Sequence, residues 1–125
     1  MSVLDEWIGK AEDDYKAAVA LNRRRREPLP DIVCYHCQQS AEKYLKAYLI
    51  SRSVVPPWTH DLADLLALCQ GYDPTLSVLD PQAQYLRRYA VLIRYPGLAA
   101  TVADARDALL ALRRIRRVLR KKLGL

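Results

Sequence analysis

A helical spacing of apolar residues, interrupted by prolines, runs through almost the whole chain. Side chains three and four residues apart lie on the same face of an α-helix, so each segment has one apolar face. Proline ends such a segment because it lacks an amide hydrogen and clashes with the preceding turn. Only four glycines are present, and no Asn-Gly or Asp-Gly pair suggests a β-hairpin. The pattern therefore predicts an all-α protein.

The breaks divide the chain into five helical segments. We predict helices over residues 3–25, 31–53, 60–70, 80–95 and 98–122. Asp31 and Thr59 are expected to cap the second and third helices, and Asp80-Pro81 to begin the fourth. Five helices joined by short or moderate loops imply an up-and-down bundle, and residues 1–125 are the right length for a single domain.

The formal net charge of +6 favours anionic partners such as nucleic acid, nucleotides or an acidic protein. The cations are concentrated in two runs, residues 23–26 and residues 113–122. No acidic residue follows Asp107, so the second run has no local counter-charge. It is either a solvated helix end or a contact for nucleic acid or an acidic partner. Four glycines leave no room for a glycine-rich phosphate loop.

The first ten residues, MSVLDEWIGK, carry acidic side chains and lack the apolar stretch of a signal peptide. No segment reaches the roughly 18–20 apolar residues that span a bilayer. Three cysteines, an odd number, fit free thiols in a reducing compartment. We therefore expect a cytoplasmic protein without a membrane contact.

A Cys-x-x-Cys motif with a histidine inside it, Cys34-Tyr-His-Cys37, resembles a metal or redox site. On a helix of about 100° per residue, the two cysteines share the apolar face and His36 points away from them. Zinc needs about four convergent ligands, and reactive thiols usually lie at a helix N-terminus. We therefore interpret both cysteines as core residues and predict neither a metal nor a cofactor.

The opposite face of the same helix carries a polar stripe. Its members are His36, Gln39, Lys43 and Lys46. A solvated surface is one interpretation, since charged helix faces usually have no other role. Histidine and glutamine are weaker choices than Glu or Lys for solubility alone. Together with two lysines they can hydrogen-bond and neutralise a phosphate or an acidic surface, so the stripe is the candidate ligand site.

The stretch YHCQQSAEKYLKAYLI, followed by HDL at residues 60–62 and RYPG at residues 94–97, resembles the HEPN domain (higher eukaryotes and prokaryotes nucleotide-binding) in its small stand-alone prokaryotic form. The resemblance covers nearly the whole chain. It implies a helical bundle, a homodimer and, as in many members, a minimal nucleotidyltransferase partner in a toxin–antitoxin-like pair. Some members bind nucleotides in a positively charged groove. On this basis we predict that nucleotide or RNA phosphates bind at His36, Gln39, Lys43, Lys46, His60 and Arg94.

Other members of the HEPN family are metal-independent ribonucleases, in which four to six residues separate an arginine from the histidine that follows it. In this chain Arg94 is followed by Tyr-Pro-Gly-Leu-Ala-Ala-Thr, which contains no histidine. Seven residues, including Pro56-Pro57, separate Arg52 from His60. We therefore assign no catalytic residue. A ribonuclease that uses His60 or His36 in a non-standard arrangement, and a purely protein-binding adaptor, are the alternatives.

Overall fold

The computed structural model describes residues 2–91 and 95–125. These residues form five α-helices and no strand: α1 Val3–Asn22, α2 Pro30–Ser51, α3 Leu62–Gln70, α4 Asp80–Leu86 and α5 Val102–Lys122. Two 3₁₀ helices, Pro74–Leu79 and Arg87–Ala90, flank α4. The prediction of an all-α bundle of five helices is confirmed.

Helix α2 lies at the centre of the bundle and packs most extensively against α1 and α5. Ser40 of α2 donates a hydrogen bond to the backbone oxygen of Ala11, whereas His36 contacts Asp14, so α1 runs antiparallel to α2. Helix α5 runs in the same direction as α2, because Asp31 reaches Ala100 at one end and Tyr44 contacts Arg120 at the other.

The apolar face predicted for α2 forms the middle of the core. Its buried members are Cys34, Cys37, Ala41, Tyr44, Leu45 and Tyr48. Helix α3 covers this face with Leu65 and Leu66, and α5 covers it with Leu112 and Ile115. Removing these side chains from water supplies the main force that holds the helices together.

The predicted starts of the second and third helices are wrong by one or two residues. Helix α2 begins at Pro30, and the Asp31 carboxylate does not cap it. Oδ1 of Asp31 instead accepts a hydrogen bond from the backbone N–H of Ala100, at 2.6 Å. Helix α3 begins at Leu62 with Asp61 as its cap, and Thr59 only accepts a hydrogen bond from the Asp61 N–H. His60 therefore precedes α3 and does not lie in its first turn.

Four other predicted boundaries also differ. Helix α2 ends at Ser51 and not near Ser53. Helix α1 ends at Asn22 before the arginine run, and α4 ends at Leu86, where the chain tightens into a 3₁₀ helix. Helix α5 begins at Val102 and not near Leu98, because Thr101 and Asp104 form a reciprocal capping box there. None of the described helices is long and apolar enough to cross a membrane.

Candidate functional site

The polar stripe of α2 lies along its border with α1 and with the segment that precedes α3. Two carboxylates and a further glutamine lie among the predicted residues. We call this set the polar band. Its members are Asp14, His36, Gln38, Gln39, Glu42, Lys43, Lys46 and His60.

Asp14 of α1 joins the N-terminal half of the polar band. Its Oδ1 lies 2.8 Å from Nδ1 of His36, and its Oδ2 lies 2.5 Å from Nζ of Lys43. His36 and Lys43 are about two helical turns apart, so α2 presents both to the same carboxylate. The Asp14 side chain is 12% exposed, and a carboxylate this far from water needs such partners.

Glu42 joins the C-terminal half. Its Oε2 lies 3.1 Å from Nζ of Lys46, and both of its oxygens lie 3.1 Å from Nδ1 of His60. The amide of Gln38 donates to Oε1 of Glu42 at 3.3 Å and to the backbone oxygen of His60 at 3.0 Å. Gln39 in turn donates to Gln38 at 2.7 Å. These contacts fasten the segment around His60 to the side of α2.

Both histidines are held in the same way, with Nδ1 on a carboxylate. A carboxylate at Nδ1 fixes the ring orientation and keeps a proton on that nitrogen. Nε2 is then the nitrogen left for a ligand, and in the described part of the chain it has no protein hydrogen bond in either residue. The side chain of His36 is 27% exposed and that of His60 is 65% exposed, so each ring has an edge in solvent.

An apolar groove of about 520 Å³ adjoins the polar band at Lys46. Its walls include Trp7 of α1 and Trp58 of the proline-rich segment 54–58, and these are the only two tryptophans of the chain. Nζ of Lys46 lies 5.8 Å from the centre of the Trp7 ring. An apolar concavity beside a few polar groups is the usual composition of a small-molecule site.

The structure accordingly brings five of the six predicted ligand residues into one band, and Arg94 lies outside the described residues. The sequence interpretation missed the two carboxylates and both tryptophans. The pairing of Glu42 with Lys46 has a visible signal, since a glutamate four residues before a lysine is a favourable helix pair. Asp14 has no such signal, because it comes from another helix.

The three cysteines are free and buried in the core, as predicted for the pair in the motif. Burial raises the pKa of Cys34 and of Cys69 to about 12, and it raises the pKa of Cys37 as well. Thiols with such pKa values are poor nucleophiles at neutral pH. Among the described residues, no group of three or more His, Cys, Asp or Glu side chains could hold a metal ion.

Part of the C-terminal basic run has a structural role. Arg116 contacts Glu12 of α1 through two hydrogen bonds, of 2.8 Å and 2.6 Å, and Nη1 of Arg120 adds a third at 3.0 Å. The guanidinium of Arg116 also lies 4.2 Å from the centre of the Tyr15 ring. The hydrogen bond from Arg116 holds the pKa of Glu12 below its usual value, against the opposing effect of burial. These contacts fasten α5 to α1.

Comparison with known proteins bears on the fold and the family of the chain. No curated protein matches the chain at a significant level. The chain is similar to the crystal structure of TT1696 from Thermus thermophilus, with 26% sequence identity and a TM-score of 0.77 over 98% of this chain and 99% of that chain. The family model described as HEPN domain matches residues 4–122. The chain therefore belongs to the HEPN domain family.

Proposed function

We propose that the protein is a cytoplasmic homodimer that binds a nucleotide or RNA phosphate at the polar band and acts with a minimal nucleotidyltransferase in a toxin–antitoxin-like pair. The proposed site consists of His36, Gln39, Lys43, Lys46, His60 and Arg94. The observation that carries the proposal is the pair of histidines whose Nδ1 atoms contact buried carboxylates while Nε2 has no hydrogen bond to the described residues. Membership of the HEPN family supports the homodimer and the partner.

The charges of the polar band suggest how a phosphate would bind. The two ammonium groups, Lys43 and Lys46, are already paired with Asp14 and Glu42, so the four together carry no net charge. Binding of an anion therefore depends on the imidazoles, because a protonated ring presents Nε2–H as a charged donor.

The apolar groove would hold the base of the same nucleotide. A base can stack on an indole ring, and Trp7 and Trp58 both line this groove. Lys46 lies between the groove and the Glu42 half of the polar band, which would place the phosphate near His60. The combination fits a ligand with an aromatic body and a negatively charged group.

Binding can be measured through the intrinsic fluorescence of the two groove tryptophans. We expect AMP or a short RNA to change this fluorescence at low salt. The variant His36→Gln/His60→Gln should lose roughly tenfold or more in affinity, because charge-assisted hydrogen bonds are the stronger ones. Lys10→Gln, an exposed change on α1 outside the band, is the matched control. Unchanged affinity in the double variant, or no binding by the wild type at low salt, would refute the site.

A metal-independent ribonuclease is the second candidate, and the carboxylate contact at Nδ1 of both histidines favours it. A carboxylate-held imidazole is a common general acid or base. One Nε2 would accept the proton of a ribose 2′-hydroxyl as that oxygen attacks phosphorus. Another would protonate the departing 5′-oxygen as its bond to phosphorus breaks, which leaves a 2′,3′-cyclic phosphate and a 5′-hydroxyl.

Incubation of RNA with the protein in excess EDTA tests this second candidate. If this candidate is correct, the protein cleaves RNA to cyclic phosphate ends, and His60→Ala reduces the rate by roughly 100-fold or more, the range usual for general acid–base catalysis. RNA that stays intact after prolonged incubation would eliminate the ribonuclease. If, in addition, no nucleotide binds but a nucleotidyltransferase co-purifies, the adaptor alternative gains support.

A further inference from the structure

The structure divides seven of the eight cations of α5 into two sets, and the half-buried Arg114 belongs to neither. Arg116, Arg120 and Lys122 pair with acidic side chains from elsewhere in the fold, namely Glu12 and Asp73. A second set points to solvent and has no carboxylate within salt-bridge distance among residues 2–91 and 95–125. We call this set the α5 stripe, and its members are Arg106, Arg113, Arg117 and Lys121.

The α5 stripe is a continuous line on one side of the helix. At about 100° per residue its four members fall within roughly 80° of one another, and at 1.5 Å per residue they extend over about 22 Å. The buried seam of α5, which includes Leu109, Leu112 and Ile115, faces the opposite direction. The stripe therefore lies on the outer surface of the bundle.

The local sequence gives the stripe no internal counter-charge. No acidic residue lies three or four positions from Arg106, Arg113, Arg117 or Lys121. Arg113, Arg117 and Lys121 follow one another at i,i+4 spacing, and like charges at that spacing destabilise a helix. The paired set shows that this fold can neutralise α5 cations where they fasten helices together. The cations of the α5 stripe repel one another, and no ion pair with another helix offsets this repulsion.

We infer that the α5 stripe binds the phosphate backbone of RNA, so that the ligand of this protein is an oligonucleotide and not only a mononucleotide. A row of cations about 22 Å long matches a polyanion, and a single nucleotide would reach only one or two of the four. No aromatic side chain lies among the four, so the contact is to phosphates and does not read sequence. The inference deepens the proposed function and rests on its assignment of RNA as a ligand.

The test compares Arg113→Gln/Arg117→Gln with Lys10→Gln/Arg25→Gln, which removes two positive charges from exposed positions outside the stripe. Fluorescence anisotropy with a labelled single-stranded RNA of about 20 nucleotides gives affinity as a function of salt. Each lost phosphate contact lowers the slope of log affinity against log salt by about 0.7, so the stripe variant should lose about 1.4. Its affinity at low salt should fall roughly tenfold or more, while its affinity for AMP stays unchanged and its thermal stability does not fall.

The outcomes separate the inference from the proposed function. If AMP binds but the stripe variant and the control variant keep the wild-type affinity and slope for RNA, the inference is wrong and the polar band stands. If His36→Gln/His60→Gln leaves AMP binding intact while the stripe variant loses RNA, the band assignment is wrong and the stripe stands. Equal losses of RNA affinity in the stripe variant and the control variant would show that net charge alone sets the affinity. That result would overturn the inference. Wild-type binding to polyglutamate and not to RNA would replace RNA with an acidic protein partner.

Discussion

Replacement of Glu42 with alanine is expected to lower the free energy of unfolding by roughly 3–5 kcal/mol, the usual cost of removing one partner of a buried ion pair. The side chain of Lys46 is 8% exposed, and its ammonium has Glu42 as its carboxylate partner at 3.1 Å. The variant also removes the acceptor of His60 and of Gln38. Urea denaturation followed by circular dichroism measures the change.

The double variant Glu42→Leu/Lys46→Met is the matched control. It removes both charges and keeps side chains of similar volume, so it should recover most of the lost stability, since apolar replacements of buried pairs are often neutral or stabilising. If the double variant were as unstable as Glu42→Ala, loss of packing and not an unpaired buried charge would be the cause. A loss below about 0.5 kcal/mol for Glu42→Ala would contradict the pairing itself.

The second large effect is expected at Glu12, which joins α1 to α5. Glu12→Ala should lower the free energy of unfolding by roughly 1.5–3 kcal/mol, the range for a hydrogen bond to a charged group. The expected loss is smaller than at Glu42, because the side chains of Arg116 and Arg120 are 27% and 30% exposed. Water can therefore hydrate their guanidinium groups when Glu12 is removed. Glu6→Ala, an exposed change on the same helix, should stay within about 0.5 kcal/mol of the wild type.

The contribution of Glu12 should also depend on pH. Its pKa is lower in the folded protein than its usual value of 4.5, chiefly because of the hydrogen bond from Arg116. A group whose pKa is depressed by folding contributes stability above its unfolded pKa and loses it as the pH falls through the folded pKa. The stability difference between the wild type and Glu12→Ala should therefore be full at neutral pH and shrink progressively below about pH 4.5. A difference that stayed constant down to about pH 3 would show that Glu12 acts by packing alone.

The helices could be predicted from the sequence because their signals are local. The spacing of Cys34, Cys37 and Ala41 identifies the apolar face of α2 without knowledge of its neighbours. The boundaries were harder because acidic side chains have competing partners. Asp31 accepts a hydrogen bond from the backbone N–H of Ala100 across the bundle. Asp61 caps α3, where Thr59 was expected to be the capping residue. Only the tertiary structure decides which partner each side chain finds.

The candidate site was less accessible to prediction because it depends on contacts between distant residues. The stripe on α2 follows from the helical period, but its pairing with Asp14 requires the antiparallel packing of α1. The groove likewise brings together Trp7 and Trp58, which the sequence separates widely. A net charge of +6 gives no indication that Lys43 and Lys46 are already neutralised while the α5 stripe is not.

The central claim is that the Nε2 atoms of the two histidines bind phosphate. NMR of protein labelled with ¹⁵N at histidine observes each imidazole nitrogen separately, and His36→Gln and His60→Gln assign the signals. We predict that titration with AMP shifts the Nε2 resonances of His36 and His60 and leaves Nδ1 nearly unchanged, because the carboxylates already hold Nδ1. Saturable quenching of the tryptophan fluorescence by AMP with all four imidazole resonances unmoved would contradict the claim.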